Sequence, residues 1–244
     1  MNEFSYDGTF LGLLTVIDEL LQAGQMPSLI RPDSTSPDLF SASNEIVTDE
    51  KRAQQFDERI RLNISENAHD HLTYAFLSER AERELALFHY IRLGFKHGAD
   101  VDRYRSNTWV HQVHSLSRKV TREVHRMQGF LRFEQLSDGI FYAPMQPDFF
   151  ILPLLAPFFC NRLRDQHWVI HDVRRKKAAL YNQQECTICD ISINQPLART
   201  EAEEEFRTLW RLYFDTIAIE SRSNARLQQQ LMPKKYWQYL VEKE

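Results

Sequence analysis

Imidazole and guanidinium groups recur along residues 106–130 at the spacing of one helix face. His111, His114, Arg118, Arg122 and His125 repeat every three or four residues. Trp109, Val113, Leu116, Val120, Val124 and Met127 repeat with the same period, as an apolar stripe facing a core does. At about 100° per residue the two sets lie roughly half a turn apart, so the segment reads as one two-faced helix. Three imidazoles and two guanidiniums in a row suit an anion, and phosphate is the common biological one. A solvated polar face explains the same row without a ligand, and the row by itself names no reaction.

Three constellations carry the chemistry worth testing. The first is the end of this row, where His125 is the best single general acid or base because an imidazole titrates near neutral pH. Glu123 stands on the wrong side of the helix to pair with it, and a histidine bonded to nearby backbone is the plainer alternative. The second runs over residues 165–175. As a strand it places His167, Val169, His171 and Val173 on one face and Trp168, Ile170 and Asp172 on the other. His171, Asp172, Arg174 and Arg175 beside an aromatic suit a phosphate or a base, and an Asp172–arginine ion pair is an equally economical reading. The third is Arg222, Asn224 and Arg226, followed by Met232-Pro-Lys-Lys-Tyr-Trp237, basic groups interleaved with aromatics as on nucleic-acid surfaces. Packing of Leu227, Leu231, Tyr236 and Trp237 on a core explains the aromatics equally well. The acid–base candidates are therefore His125, His171 and Asp172. The candidates for nucleic-acid contact are His111, His114, Arg118, Arg122, Arg126, Arg132, Arg174, Arg175, Arg222, Asn224 and Arg226.

Other chemistries lose support. There is no glycine-rich phosphate loop, no Gly-x-Ser-x-Gly and no His-Glu-x-x-His, and no cofactor is expected. The three cysteines, Cys160, Cys186 and Cys189, are too few for a disulfide framework. Cys186 and Cys189 have the spacing of half a zinc site, but no second such pair exists and their β-branched neighbours read as a strand. Ordinary half-buried thiols, with no metal, are the expectation.

The elements that must position these groups follow from charge and period. Residues 1–102 hold 9 Lys and Arg against 18 Asp and Glu, whereas residues 103–244 hold 21 against 16. Such asymmetry bears on partners, not on fold. Asp7-Gly8-Thr9 reads as a turn into a helix with Leu13, Leu14, Ile17, Leu20 and Leu21 on its apolar face. Residues 25–44, rich in Pro, Ser and Asp, read as a loop. Helices capped by Thr48, Ser65 and Ser78 follow, the last ending at His97-Gly98. Beyond Met127 the pattern changes to a hairpin around Ser137-Asp138-Gly139, a helix after Pro147-Asp148, and strands over 168–173, 178–181 and 187–193. Thr200 to Glu203 forms a capping box before a helix striped with Phe206, Leu209, Trp210, Tyr213, Phe214 and Ile217. Two short helices close the chain, with Pro233 starting the last.

The fold class expected is α+β: a helical first half, then a small mainly antiparallel sheet with helices packed on it. One domain over 1–244 is expected, with a possible subdivision at 126/127. The amino terminus carries no secretory signal, and the apolar run 149–160 is too short and too proline-broken to span a bilayer. A soluble cytoplasmic protein is the expectation.

Several segments carry a family resemblance. They are Tyr6-Asp-Gly-Thr-Phe10-Leu-Gly-Leu-Leu14, His125-Arg-Met-Gln-Gly-Phe130-Leu-Arg-Phe133, Leu136-Ser-Asp-Gly-Ile-Phe-Tyr-Ala143 and Leu152-Pro-Leu-Leu-Ala-Pro157. With them go Asp165-Gln-His-Trp168, Ile170-His-Asp172, and Ala218-Ile-Glu-Ser-Arg222-Ser-Asn224 through Met232-Pro-Lys-Lys-Tyr-Trp237. In order and over nearly the full chain, these segments resemble a bacterial family described as DNA metabolism or DNA repair proteins. The resemblance implies a domain of unknown function that stands beside, or is fused to, a uracil-DNA-glycosylase-like domain and is paired with a radical-SAM protein. It supplies no catalytic mechanism, and Cys186 and Cys189 lie outside its pattern. A DNA-binding or adaptor component is the preferred expectation. The alternatives are an enzyme acting on a nucleobase or the sugar-phosphate backbone through His125, His171 and Asp172, and a protein-binding scaffold that docks through its acidic first half.

Overall fold

Asp7, Gly8 and Thr9 turn the chain from a strand, β1 (Glu3–Tyr6), into a helix, α1 (Phe10–Gln22), and Thr9 Oγ1 caps that helix by accepting from Gly12 N at 2.9 Å. The computed structural model describes residues 2–33, 44–193, 197–217, 219 and 224–243. It divides into two units, Met1–Thr121 and Arg122–Glu244.

In the first unit, β1 and α1 lead to β2 (Leu29–Pro32), which pairs parallel to β1; β3 (Asn44–Glu45) pairs parallel on its other side. This small parallel sheet lies partly in the stretch read as a loop. A parallel pair needs a crossover, and α1 supplies it. Three more helices follow: α2 (Glu50–Asn63), α3 (Glu66–Leu77) and α4 (Arg83–His97). The α2 cap is Asp49 and not Thr48, whose hydroxyl instead donates to Asp7 Oδ2 at 2.8 Å. Ser65 caps α3 as expected, but Ser78 closes α3 rather than opening α4. A 3-10 turn, Gly98–Arg103, leads to α5 (Thr108–Phe130), which crosses the division at Thr121/Arg122. Tyr6, Leu13, Leu14, Ile17, Phe56, Ile60, Phe88 and Tyr90 are fully buried in one core. Buried Asp18 on α1 is held by Arg52 at 2.6 Å and Arg59 at 3.1 Å from α2.

The second unit carries a five-stranded sheet of order β4-β5-β6-β7-β8: Glu134–Gln135, Phe141–Met145, Trp168–Asp172, Lys177–Tyr181 and Cys186–Asp190. The β4–β5 hairpin turns at Gly139, whose φ of 84° only glycine adopts freely. The first strand of the hairpin begins later than expected because α5 continues through Phe130. The sheet is mixed, not purely antiparallel. β5 and β6 run parallel, because the helix α6 (Leu152–Arg162) crosses over between them. Trp168 lies at the centre with no exposure, stacked on Tyr181.

The helix α7 (Glu201–Ile217) follows, with Thr200 Oγ1 accepting from Glu203 N at 3.1 Å. Its apolar stripe is largely open: Phe206, Leu209, Tyr213 and Ile217 are all more than half exposed, whereas Trp210 and Phe214 are half-buried. Arg207 is the side chain of α7 that is buried. A short helix, α8 (Ala225–Leu231), and a 3-10 stretch, Lys234–Tyr239, complete the unit. Among the described residues no helix is long and apolar enough to cross a membrane.

Candidate functional site

The organising group of the second unit is a carboxylate at a stripe position of α5. Glu123 falls three residues after Val120 and four before Met127, and so takes an apolar place on the helix. It is buried and accepts from Asp148 N and Phe149 N at 2.9 Å each and from Tyr236 Oη at 2.6 Å. Lys235 Nζ reaches Glu123 at 3.2 Å and also pairs with Asp148. The buried amides and phenol find their acceptor in this one side chain, which ties the loop before α6 to the 3-10 stretch Lys234–Tyr239. Burial, with Glu123 as hydrogen-bond acceptor beside it, pushes the Tyr236 phenol up.

Beside this node opens a cleft of about 350 Å³ lined by Gln146, Pro147, Asp148, Arg174, Lys234, Lys235 and Gln238. Arg174 Nη2 donates to the Asp148 carbonyl at 2.9 Å, which orients the guanidinium but leaves the side chain exposed. Lys234 stands over the Trp237 ring at 5.9 Å. Gln238 Nε2 donates to Gln146 Oε1 at 3.2 Å, and Tyr239 reaches the same oxygen at 3.4 Å. Lys235 is shared between the carboxylates of Glu123 and Asp148, and Arg174 and Lys234 make no ion pair with either, so the three cations outnumber the two acids by one and the cleft is positive, edged by amides able to donate or accept. That chemistry suits a phosphate oxygen.

The acid–base candidates have different surroundings. His125 is exposed. His171 is buried and shares a 2.6 Å hydrogen bond with Tyr142 through Nδ1; burial holds its imidazole below the ordinary value, opposed by the Asp172 charge. Burial, followed by the charges of Glu134 and Tyr239, pushes the Tyr142 phenol up to about 12. Asp172 has no exposure and accepts from Arg175 Nη1 at 2.8 Å and from Arg175 N at 3.2 Å. Arg175 also donates to the carbonyls of Pro147 and Asp148. This pair is the economical alternative raised by the sequence, and it pins the turn after β6 to the loop that lines the cleft.

The remaining candidates divide between open and engaged groups. His111 and Arg118 in the first unit, and Arg122 and Arg226 in the second, are exposed; Arg126 is half-buried near Tyr236. His114 turns to Asp102, with Nε2 2.8 Å from Oδ1. Arg132 grips Glu242 at 2.7 Å and stands over Trp210. Asn224 caps α8 by accepting from Leu227 N at 2.9 Å. Arg222 lies outside the described residues. Lys234 and Lys235 stand in the third constellation of the sequence but not among its named candidates, and Gln146 stands in neither. The legible signal was Glu123, a lone acid on an apolar stripe amid basic residues, which demands partners from elsewhere.

The thiols also differ from their local spacing. Cys186 is in hydrogen-bonding contact with Cys160 of α6, and burial together with that thiol pushes it up to about 12. All three cysteines are free.

Neither a curated protein nor a solved structure matches the chain. Residues 81–242 do match a family model described as a domain of unknown function, a span that includes Glu123, the cleft and the whole five-stranded sheet, and the chain belongs to that family, DUF4130.

Proposed function

We propose that this protein is a DNA-binding or adaptor component of DNA repair or DNA metabolism, holding nucleic-acid phosphates on its second unit and working with a uracil-DNA-glycosylase-like domain and a radical-SAM partner. The observation that carries the reading is the positive cleft of Arg174, Lys234 and Lys235. Its cations stand on two different segments, and the Glu123 and Asp172 nodes fix both segments to one loop. A preset array of this kind positions a phosphate backbone without reading its sequence. The link to repair and to the two partners is supported by the family resemblance. The acid–base alternative is the weaker reading, because His171 and Asp172 are each held by a protein partner in the buried interior.

Binding of labelled short single-stranded and duplex DNA, followed by fluorescence anisotropy at rising salt, tests the proposal. Phosphate contacts release counterions, so with two or three contacts affinity is expected to fall about tenfold to fortyfold between about 50 and about 200 mM salt. Arg174→Ala and Lys234→Ala are each expected to weaken binding uniformly across sequences. Salt-independent affinity, or single variants that bind as the wild type does, would overturn it.

A further inference from the structure

A second site stands in the first unit. His71 on α3, Asp102 in the 3-10 turn after α4 and His114 on α5 each direct a donor atom to one place, with all three donors within 4.8 Å of one another. The three residues are far apart in sequence and come from three elements, so no local motif announces them.

Two of the three residues are oriented by a partner behind them, and the third, His114, places Nε2 2.8 Å from Asp102 Oδ1. His71 Nδ1 lies 2.9 Å from Ser117 Oγ. With Nδ1–H donating there, Nε2 is left as the lone-pair nitrogen, the tautomer a metal ligand requires. Asp102 Oδ1 accepts from Tyr90 Oη at 2.6 Å, which fixes the carboxylate. The His71 and His114 rings lie 4.3 Å apart between centroids, close enough that two positive imidazoliums would repel strongly. Two imidazoles converging on a carboxylate bring two nitrogens and an oxygen to one place, and a cation is the complement of such a donor set. The His114 and Asp102 side chains are 13% and 24% exposed, so an ion has access to them.

We propose that His71, Asp102 and His114 form a binding site for one divalent transition-metal ion of the zinc or ferrous class. Two nitrogens and one oxygen are the donor set of catalytic zinc sites with an open position and of the two-histidine, one-carboxylate iron sites. A tetrahedral ion about 2.1 Å from each donor needs them about 3.4 Å apart. Donors now as much as 4.8 Å apart would close by about 1.4 Å, and His114 Nε2 and Asp102 Oδ1, hydrogen-bonded at 2.8 Å, would part by about 0.6 Å to admit the ion. The remaining positions would be taken by water, which leaves the ion open to a further ligand. This assignment replaces the expectation that the chain holds no metal, and it is independent of the DNA reading because no residue of the cleft takes part.

The test uses the full chain, stripped with chelator and titrated with Co²⁺ and then Zn²⁺. One equivalent of Co²⁺ is expected to bind with visible ligand-field absorption, and Zn²⁺ is expected to bleach it. His71→Gln, Asp102→Asn and His114→Gln are each expected to weaken binding at least about tenfold, and Ser117→Ala, which leaves the ligands in place, about tenfold. Far-UV circular dichroism confirms that each variant is folded. Binding well below one equivalent would overturn the proposal. So would an unaltered cobalt spectrum in a folded His71→Gln/His114→Gln variant, or thiolate charge-transfer bands placing the ion on Cys160, Cys186 or Cys189.

Discussion

Asp18 in the first unit and Glu123 in the second are both carboxylates buried on helices, and they are answered in different ways. Asp18 meets two arginines of the adjacent helix α2, and the surrounding apolar stripes close over a core of fully buried side chains. Glu123 meets backbone amides, a phenol and a lysine, and the segments it fastens border an open positive cleft. The apolar stripes differ in the same sense: those of α1 and α4 are covered, whereas that of α7 is largely open. Between these two, the charge answered by guanidinium groups of a neighbouring helix joins two helices. The one answered by backbone amides shapes a loop, and loops are where ligands are met.

The largest effect should come from removing the second node. Glu123→Ala leaves two amides and the Tyr236 phenol without their acceptor and should cost about 3–5 kcal/mol in urea unfolding. A loss below about 1 kcal/mol would mean that the node does not organise its unit. The apolar contrast is tested by a pair of truncations. Phe88→Ala, in the closed core, should cost about 3–5 kcal/mol, and Phe206→Ala, on the open stripe, should stay within about 0.5 kcal/mol. Equal costs would show that α7 is covered.

Smaller effects follow from the titrating groups. With its thiol pushed up by burial and by the neighbouring Cys160 thiol, Cys186 should react with iodoacetamide at about pH 7.5 more slowly than an unperturbed cysteine, although its side chain is exposed. Mass spectrometry of tryptic peptides over time reads this directly, and rapid labelling of Cys186 would break the Cys160 contact as an explanation. Burial lowers the imidazoles of His71, His89 and His171 in the fold. The unfolded chain therefore takes up those protons first, and the contribution is full above about pH 6.5 and lost as the pH falls below it. Stability should decline by at most about 1.4 kcal/mol per pH unit for each such group. His171→Asn should flatten the decline; an unchanged slope would remove His171 from it.

Much of this architecture is legible in the chain itself. The strands at Trp168 and Ala178, the turns at Gly139 and at Asp7 to Thr9, and the caps at Ser65 and Thr200 depend on neighbours a few residues away, and local pattern suffices for them. The parallel pairing of β5 with β6 was implicit in the helix between them. The strand β2 was hidden because its four residues sit in a proline-rich stretch with no room for alternation. Of the candidate site residues, the sequence conveys exposure on a polar face, as at Arg122 and Arg174. Arg132 found its partner at Glu242, and His114 found Asp102 and His71, through packing that no spacing rule encodes. The largely open face of α7 was also beyond the sequence, because a helical period states that a face is apolar and not what lies against it.

The salt dependence of DNA affinity in an Arg174→Ala/Lys234→Ala double variant tests the positive cleft most directly. The account predicts that the slope of log affinity against log salt becomes shallower by about two, one for each phosphate the variant no longer neutralises. A double variant that keeps the wild-type slope and affinity would contradict it.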